Sequence, residues 1–213
     1  IFPGADDNAS GVATLLAVAR RPAGDGGAGP ARSVLFAAFA GEEDGLQGSA
    51  WLARHLPLSA DSLVAMLNLD TVGRLRDSRV YVGGAGTAAA FPALLAALGG
   101  AHGLTLELGR GGWDASDHVS FQALGVPVLF LMTGPHADYH RPSDTAEKVD
   151  VPGLAKVAAI AKELVSWLAG REQPLAVSIS RTDRPARDAG VAPGAPGASG
   201  APAPGRRVSF GTM

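Results

Sequence analysis

An α/β three-layer sandwich, with a mostly parallel central sheet flanked by helices, is the fold class this sequence predicts. Three observations predict it. Short apolar runs end abruptly in Gly or an acid, segments of helical periodicity stand between them, and the chemistry-bearing side chains collect just past the runs. Alternation of strand and helix along a chain builds layered sheets with helices on both faces.

Taken in order, residues 9–21 read as an amphipathic helix, with Ser10 as a cap and Val12, Leu15, Leu16 and Val18 on its apolar face. A Gly/Ala/Pro loop over 22–31 leads to the run Ser33-Val-Leu-Phe-Ala-Ala-Phe-Ala40, a buried strand closed by Gly41. A helix is expected over 46–55, a strand over 63–70 and a short strand over 80–82. An Ala/Leu-rich helix fills 87–99, and the alternation in Leu104-Thr-Leu-Glu-Leu108 makes a further strand. A short helix over 117–124 precedes the strand 126–131. The last helix carries the fullest signature: Asp150 caps it, Pro152 sits in its first turn, and Gly170 stops it. From Ala189 to Gly205 only Ala, Gly, Pro, Val and Ser occur, a linker composition that cannot bury a core.

Composition narrows the chemistry. The 213 residues suffice for one core plus a tail, and the 46% hydrophobic content is that of a globular domain. A formal net charge of −2 makes no electrostatic case for nucleic acid or anionic membranes. No apolar stretch reaches the ~20 residues that span a bilayer. Absence of Cys removes disulfides, thiolate catalysis and Cys-based zinc sites, so any metal must be held by His, Asp or Glu. Both ends read as cut: the chain opens in mid-motif at Ile1-Phe-Pro-Gly4 and closes on Arg207-Val-Ser-Phe-Gly-Thr-Met213.

Glu42 and Glu43 follow the run 33–40 directly, at the strand-end rim where ligands of open α/β sheets collect. Two adjacent carboxylates repel each other unless a positive charge sits beside them, and a divalent metal answers that need. Asp70 ends the strand 63–70, His140 lies in the loop after the strand 126–131, and Asp6 and Asp7 stand just before the first helix. An O/N donor set without sulfur suits Zn²⁺ first, with Mn²⁺ or Co²⁺ also admissible. Taken singly, each motif has a second reading. Asp7-Asn8-Ala9-Ser10 also fits a helix start, Glu42-Glu43 solvated acids at a helix N-terminus, Asp70 plain turn chemistry, and His140 a surface imidazole. Their joint occurrence favours one site. His118 reads as structural or supporting, His55 and His102 as surface residues at helix ends, and His136 as a spare polar loop residue.

Gly4-Ala-Asp-Asp-Asn-Ala-Ser-Gly11, Ala40-Gly-Glu-Glu43, Leu67-Asn-Leu-Asp70 and Tyr139-His140 together resemble, in order and spacing, the M28 family of co-catalytic di-zinc aminopeptidases. The likeness covers about residues 1–168, and Ser116-Asp-His118 with Phe121 is similar to a segment these enzymes carry near the substrate pocket. It implies a metallopeptidase catalytic domain over 1–170, lacking its N-terminal strands, and a tail and linker over 171–206. At 207–213 the likeness extends weakly to the opening strand of a PDZ-like domain.

The function implied is a zinc-dependent exopeptidase that removes N-terminal residues from peptides. Asp7 would bridge two Zn²⁺ ions, Glu43, Asp70 and His140 would each ligate one, and Glu42 would be the general base toward a water between them. Tyr139 would donate a hydrogen bond to the developing oxyanion, and Trp113 and Phe121 are candidates for the side-chain pocket. The family's first ligand, a His in an upstream His-x-Asp motif, has no counterpart in this sequence. The resemblance also implies periplasmic or secreted location. Two rival functions stay open, a single-zinc glutaminyl-cyclase-like acyl transferase and a non-catalytic peptidase-like binding domain.

Overall fold

Four short strands share one sheet, and their ends carry the chemistry. The computed structural model describes residues 1–20, 31–109 and 116–179. Strands β1 (Met66–Leu69), β2 (Arg79–Gly83), β3 (Thr105–Leu108) and β4 (Val128–Met132) lie in the order β1-β4-β2-β3. β1 runs parallel to β4 and β2 parallel to β3, whereas β2 and β4 are antiparallel, so the sheet is mixed. The helices are α1 (Gly11–Ala19), α2 (Gln47–Arg54), α3 (Phe91–His102), α4 (His118–Gln122) and α5 (Val151–Ala169).

The side chains of β4 show why three layers form. Successive residues of a strand point to opposite faces, and all five of β4 are buried. Leu129 and Leu131 enter a core shared with Phe91 and Leu95 of α3 and with Val157, Ile160 and Leu164 of α5. Val128 points the other way, into a smaller core with Phe121, Val126 and Leu52 of α2. Phe130, on that same side, stacks on His118 of α4 at 4.7 Å between ring centroids. Helices α1, α3 and α5 therefore form one outer layer, and α2 with α4 the other. Leu175 is buried against the larger core, and Val177 bridges to Ala88.

Several expectations change on folding. The run 33–40 is not a buried strand: it joins no ladder among the described residues, and Leu35 and Phe36 are 65% and 40% exposed. An apolar run becomes a strand only by sharing its N–H and C=O groups with a neighbour. Among the described residues the segment is tied at its ends, where Arg32 N donates to Ala169 O and the N–H groups of Gln47 and Gly48 donate to Gly41 O and Ala40 O. Phe39 packs inward, 6.1 Å from Phe121.

The first helix begins later than expected, after one wide π-type turn over Ala5–Ser10. Ser10 holds its N-cap position as expected but without a side-chain cap bond, its hydroxyl donating to Asp6 O, while Asn8 Oδ1 accepts Gly11 N. It buries the stripe of Gly11 and Thr14, half-buries Leu15 and Val18, and leaves Val12 and Leu16 exposed. At ~100° per residue, Val12 and Leu16 share a different face from the stripe that meets α5. Asp150 holds the N-cap position of α5, without a side-chain cap bond; its own N–H donates to Gly73 O. Trp113 and the residues 180–213, which include the linker and the PDZ-like stretch, lie outside the described residues.

Burial of this kind makes unequal demands on two leucines. Leu164→Ala, at a site with 0% exposure, should cost about 2–5 kcal/mol in urea denaturation. Leu16→Ala, at 57% exposure, should stay within about 0.5 kcal/mol of the parent. Equal losses at both positions would refute the assigned helix faces.

Candidate metal centre

Four loops deliver the polar side chains to one place. Asp7 stands in the π-type turn before α1, Glu42 and Glu43 in the turn between Gly41 and α2, Asp70 directly after β1, and Tyr139 and His140 in the turn following β4. All six line a single cavity of about 500 Å³. One ligand atom from each of Asp7, Glu43 and His140 lies within 4.8 Å of the others. His140 Nε2 is 3.1 Å from Asp7 Oδ2 and 2.8 Å from Glu43 Oε1. The Tyr139 ring stacks on the His140 imidazole at 3.8 Å.

Asp70 approaches from below. Its Oδ2 accepts the Ser116 hydroxyl at 2.7 Å, and Ser116 in turn accepts Asn68 Nδ2 at 2.7 Å. Its Oδ1 is buried and has no hydrogen-bond partner. A buried carboxylate oxygen left without a donor is costly, and a cation in the cavity relieves it. That orphaned oxygen, with the convergent oxygens and imidazole of Asp7, Glu43 and His140, fits a borderline divalent ion such as Zn²⁺.

The backbone is held out of its ordinary range at two of these positions. Thr71, immediately after Asp70, has φ of 50°, and His140 has φ of 55°, both in the left-handed region. Non-Gly residues there cost of order 1–3 kcal/mol and gather where geometry serves function.

Electrostatics follow from the crowding. Burial first, then the charges of Asp70 and Glu43, pushes Asp7 up to about 7, although His140 opposes the shift. Glu42 is likewise pushed up to about 7, by burial and by Asp70, Glu43, Asp117 and Asp7. Burial raises Asp70 while the Ser116 hydrogen bond holds it back. Burial and the neighbouring carboxylates push Tyr139 up to about 12, so its phenol stays protonated at neutral pH.

The cavity wall beside the acids is apolar, formed by Leu46, Phe130, Met132 and Pro135. Phe121, expected in the substrate pocket, lies instead in the core against Phe39, Val126 and Val128, because α4 turns it inward. Leu46, Phe130 and Met132 were not legible as pocket residues, since apolar residues beside a helix or within a strand look like core. His136 also departs from expectation: it is a buried residue paired with Asp6 at 3.0 Å, not a spare loop histidine. His118 is fully buried and structural, His55 is exposed, and His102 is half-buried and pairs with Glu163 at 2.7 Å.

A metal-suited rim of carboxylates and imidazole on an α/β sheet defines the class, and comparison with known proteins defines the family. The sequence model of peptidase family M28 matches residues 2–165, and the chain belongs to that family. A probable leucine aminopeptidase of Arthroderma benhamiae is 31% identical over 173 residues, covering 78% of this chain and 47% of that protein. Among solved structures, an aminopeptidase from Aneurinibacillus sp. strain AM-1 superposes with a TM-score of 0.64 at 31% identity, over 84% of this chain and 42% of that one. A zinc aminopeptidase from Bacillus subtilis superposes with a TM-score of 0.67 at 26% identity, over 84% and 47%. The chain thus spans less than half the length of each of these relatives.

Carboxylates raised in the folded state bind protons that the unfolded chain releases, so between about pH 4 and about 7 the metal-free fold should lose stability as pH rises. Asp138 and Asp144, both held below the ordinary range, act oppositely and only at the acid end of that window. Thermal melts in a chelating buffer should show the decline, and Asp7→Asn should flatten it. A metal-free midpoint that climbs from pH 5 to pH 8 would contradict the crowding.

Proposed function

We propose that this chain carries the catalytic face of a zinc-dependent aminopeptidase, hydrolysing the N-terminal residue from peptides. The observation that carries the reading is the convergence of Asp7, Glu43 and His140 ligand atoms within 4.8 Å, beside the orphaned oxygen of Asp70. Asp7, Glu43 and His140 would hold zinc through their converging ligand atoms, and Asp70, through its unpartnered oxygen, would be a further ligand from the other side of the cavity. When bound, zinc supplies Lewis acidity toward the scissile carbonyl and makes water a competent nucleophile near neutral pH.

The remaining work falls to the chain's own groups. Glu42 lines the cavity without sharing the tight cluster of Asp7, Glu43 and His140, which leaves its carboxylate for proton transfer. In the metal-free site burial and the neighbouring carboxylates push Glu42 up to about 7, and bound cations would oppose that rise; within hydrogen-bond reach of water it would take a proton and return it to a leaving amine. The protonated Tyr139 phenol, fixed by its stacking on His140, donates to the oxygen on which negative charge develops. Leu46, Phe130 and Met132 offer an apolar surface to the substrate's first side chain, in keeping with the names of the aminopeptidase relatives.

The test is made on the full-length natural product that contains this sequence, with aminoacyl-p-nitroanilides as substrates. Chelation should abolish turnover and added Zn²⁺ restore it. Glu42→Gln should lower kcat by ~10²–10⁴-fold while zinc content is unchanged. His140→Ala should lose metal and activity together. Full activity in Glu42→Gln would remove the assigned base. Cyclisation of a peptide with N-terminal Gln, without hydrolysis of any anilide, would assign acyl transfer instead.

A further inference from the structure

Beneath the cavity lies a ring of buried polar contacts that takes no direct part in the chemistry above. Asp144 Oδ2 accepts the backbone N–H groups of Asp6 and Asp7, at 2.9 and 3.1 Å. Asp144 Oδ1 accepts Arg74 Nη2 at 3.0 Å, and the same guanidinium reaches Asp138 Oδ2 at 3.4 Å. Asp138 N donates to His136 Nδ1 at 3.2 Å, which places the ring proton of His136 on Nε2. His136 Nε2 lies 3.0 Å from Asp6 Oδ2, a close polar contact without hydrogen-bond geometry, and neither atom has a hydrogen-bond partner. Asp6 Oδ1 accepts Gly73 N, which closes the ring.

The ring ties together three of the loops that carry proposed ligands. Asp6 adjoins Asp7, Gly73 and Arg74 follow Asp70, and His136 to Asp144 bracket Tyr139 and His140. Asp6, Arg74, His136 and Asp144 are each no more than 9% exposed, and none lines the cavity. Gly73 is required by the closeness of the contact: a Cβ there would lie 2.8 Å from Asp6 Oδ1 and 2.9 Å from Ser10 Cβ. Buried charges of this kind return little net stability compared with apolar packing of equal volume, but they tolerate few alternative arrangements.

We propose that Asp6, Arg74, His136 and Asp144 are positioning residues that hold Asp7 and His140 at metal-binding separation, so that the ring sets the affinity and geometry of the centre. This rests on the metal reading above, and it extends that reading to residues that touch no ligand or substrate. Asp7 presents its carboxylate correctly only while its own N–H is anchored on Asp144. His140, with its left-handed backbone, depends on the turn whose two ends His136 and Asp144 pin.

The test uses Zn²⁺ affinity from competition with a chromophoric chelator and the visible spectrum of the Co²⁺-loaded full-length protein. Metal-free melting midpoints are recorded alongside. Asp6→Asn sets an amide N–H₂ against the His136 donor or the Gly73 N–H, and Arg74→Lys cannot span both Asp144 and Asp138. Each variant should weaken Zn²⁺ binding about 10–100-fold and shift the Co²⁺ bands. Asp144→Asn should do the same, and His136→Gln, which keeps a donor toward Asp6, should recover part of the affinity lost in His136→Ala. Variants with lower melting midpoints but parental affinity and an unchanged Co²⁺ spectrum would show a merely structural ring and overturn the proposal. So would failure of both Asp6→Asn and Arg74→Lys to fold. A parent that binds no Zn²⁺, or whose affinity survives His140→Ala, instead sinks the metal reading itself.

Discussion

Mutual repulsion among carboxylates is the constraint around which this structure is arranged. Asp7, Glu42, Glu43 and Asp70 share one cavity, and Asp117 adds its charge to Glu42 from the side. Burial compounds the repulsion, because each group also loses the water that would stabilise its charge. Among the described residues, His140 is the basic group that contacts Asp7 and Glu43, and Arg74 is committed to Asp138 and Asp144. A divalent cation held by these groups, as proposed above, would convert this cost into binding.

The fold meets the constraint by dividing labour between sheet and loops. Strands β1 and β4, parallel and in register from Met66–Val128 to Leu69–Leu131, end side by side and send Asp70 and the Tyr139-His140 turn to the same rim. The apolar cores on both faces of β4 fix those ends against rotation. The loops then bear the unusual geometry, including the positive φ angles of Thr71 and His140. Rigid strands with loops at their carboxyl ends are a general way to hold reacting groups while leaving specificity to side chains that vary. In this chain the apolar wall of Leu46, Phe130 and Met132 is where such variation would act.

Much of this was legible in the residues. Asp150, Pro152 and Gly170 bounded α5 to within a residue, because capping and φ restriction are local rules. Glu42, Glu43, Asp70 and His140 stand out as polar groups just past apolar runs, Asp7 as an acid just before the first helix, and Tyr139 through the family resemblance; it is their joint occurrence that points to one site, and all six reach one cavity. Residues whose meaning lies in their partners were not legible. Arg74 and Asp144 look like ordinary surface charges, and their pairing across 70 positions is visible only in three dimensions. From sequence His136 reads as loop polarity and Phe121 as a pocket wall, since neither carries a local mark of the burial each has in the fold.

The sequence by itself determined the class of layered fold, the order of helices and strands apart from the run 33–40, and the acids and histidine that gather. Those follow from periodicity, caps and residue chemistry, which act over a few neighbouring positions. Tertiary structure alone decided that the run 33–40 stays unpaired among the described residues, that Val12 and Leu16 face outward, and that Asp6, Arg74, His136 and Asp144 close a ring under the centre. Strand pairing, helix rotation and buried polar networks depend on which distant groups arrive at contact distance. That is a property of the packed chain, which no local pattern encodes.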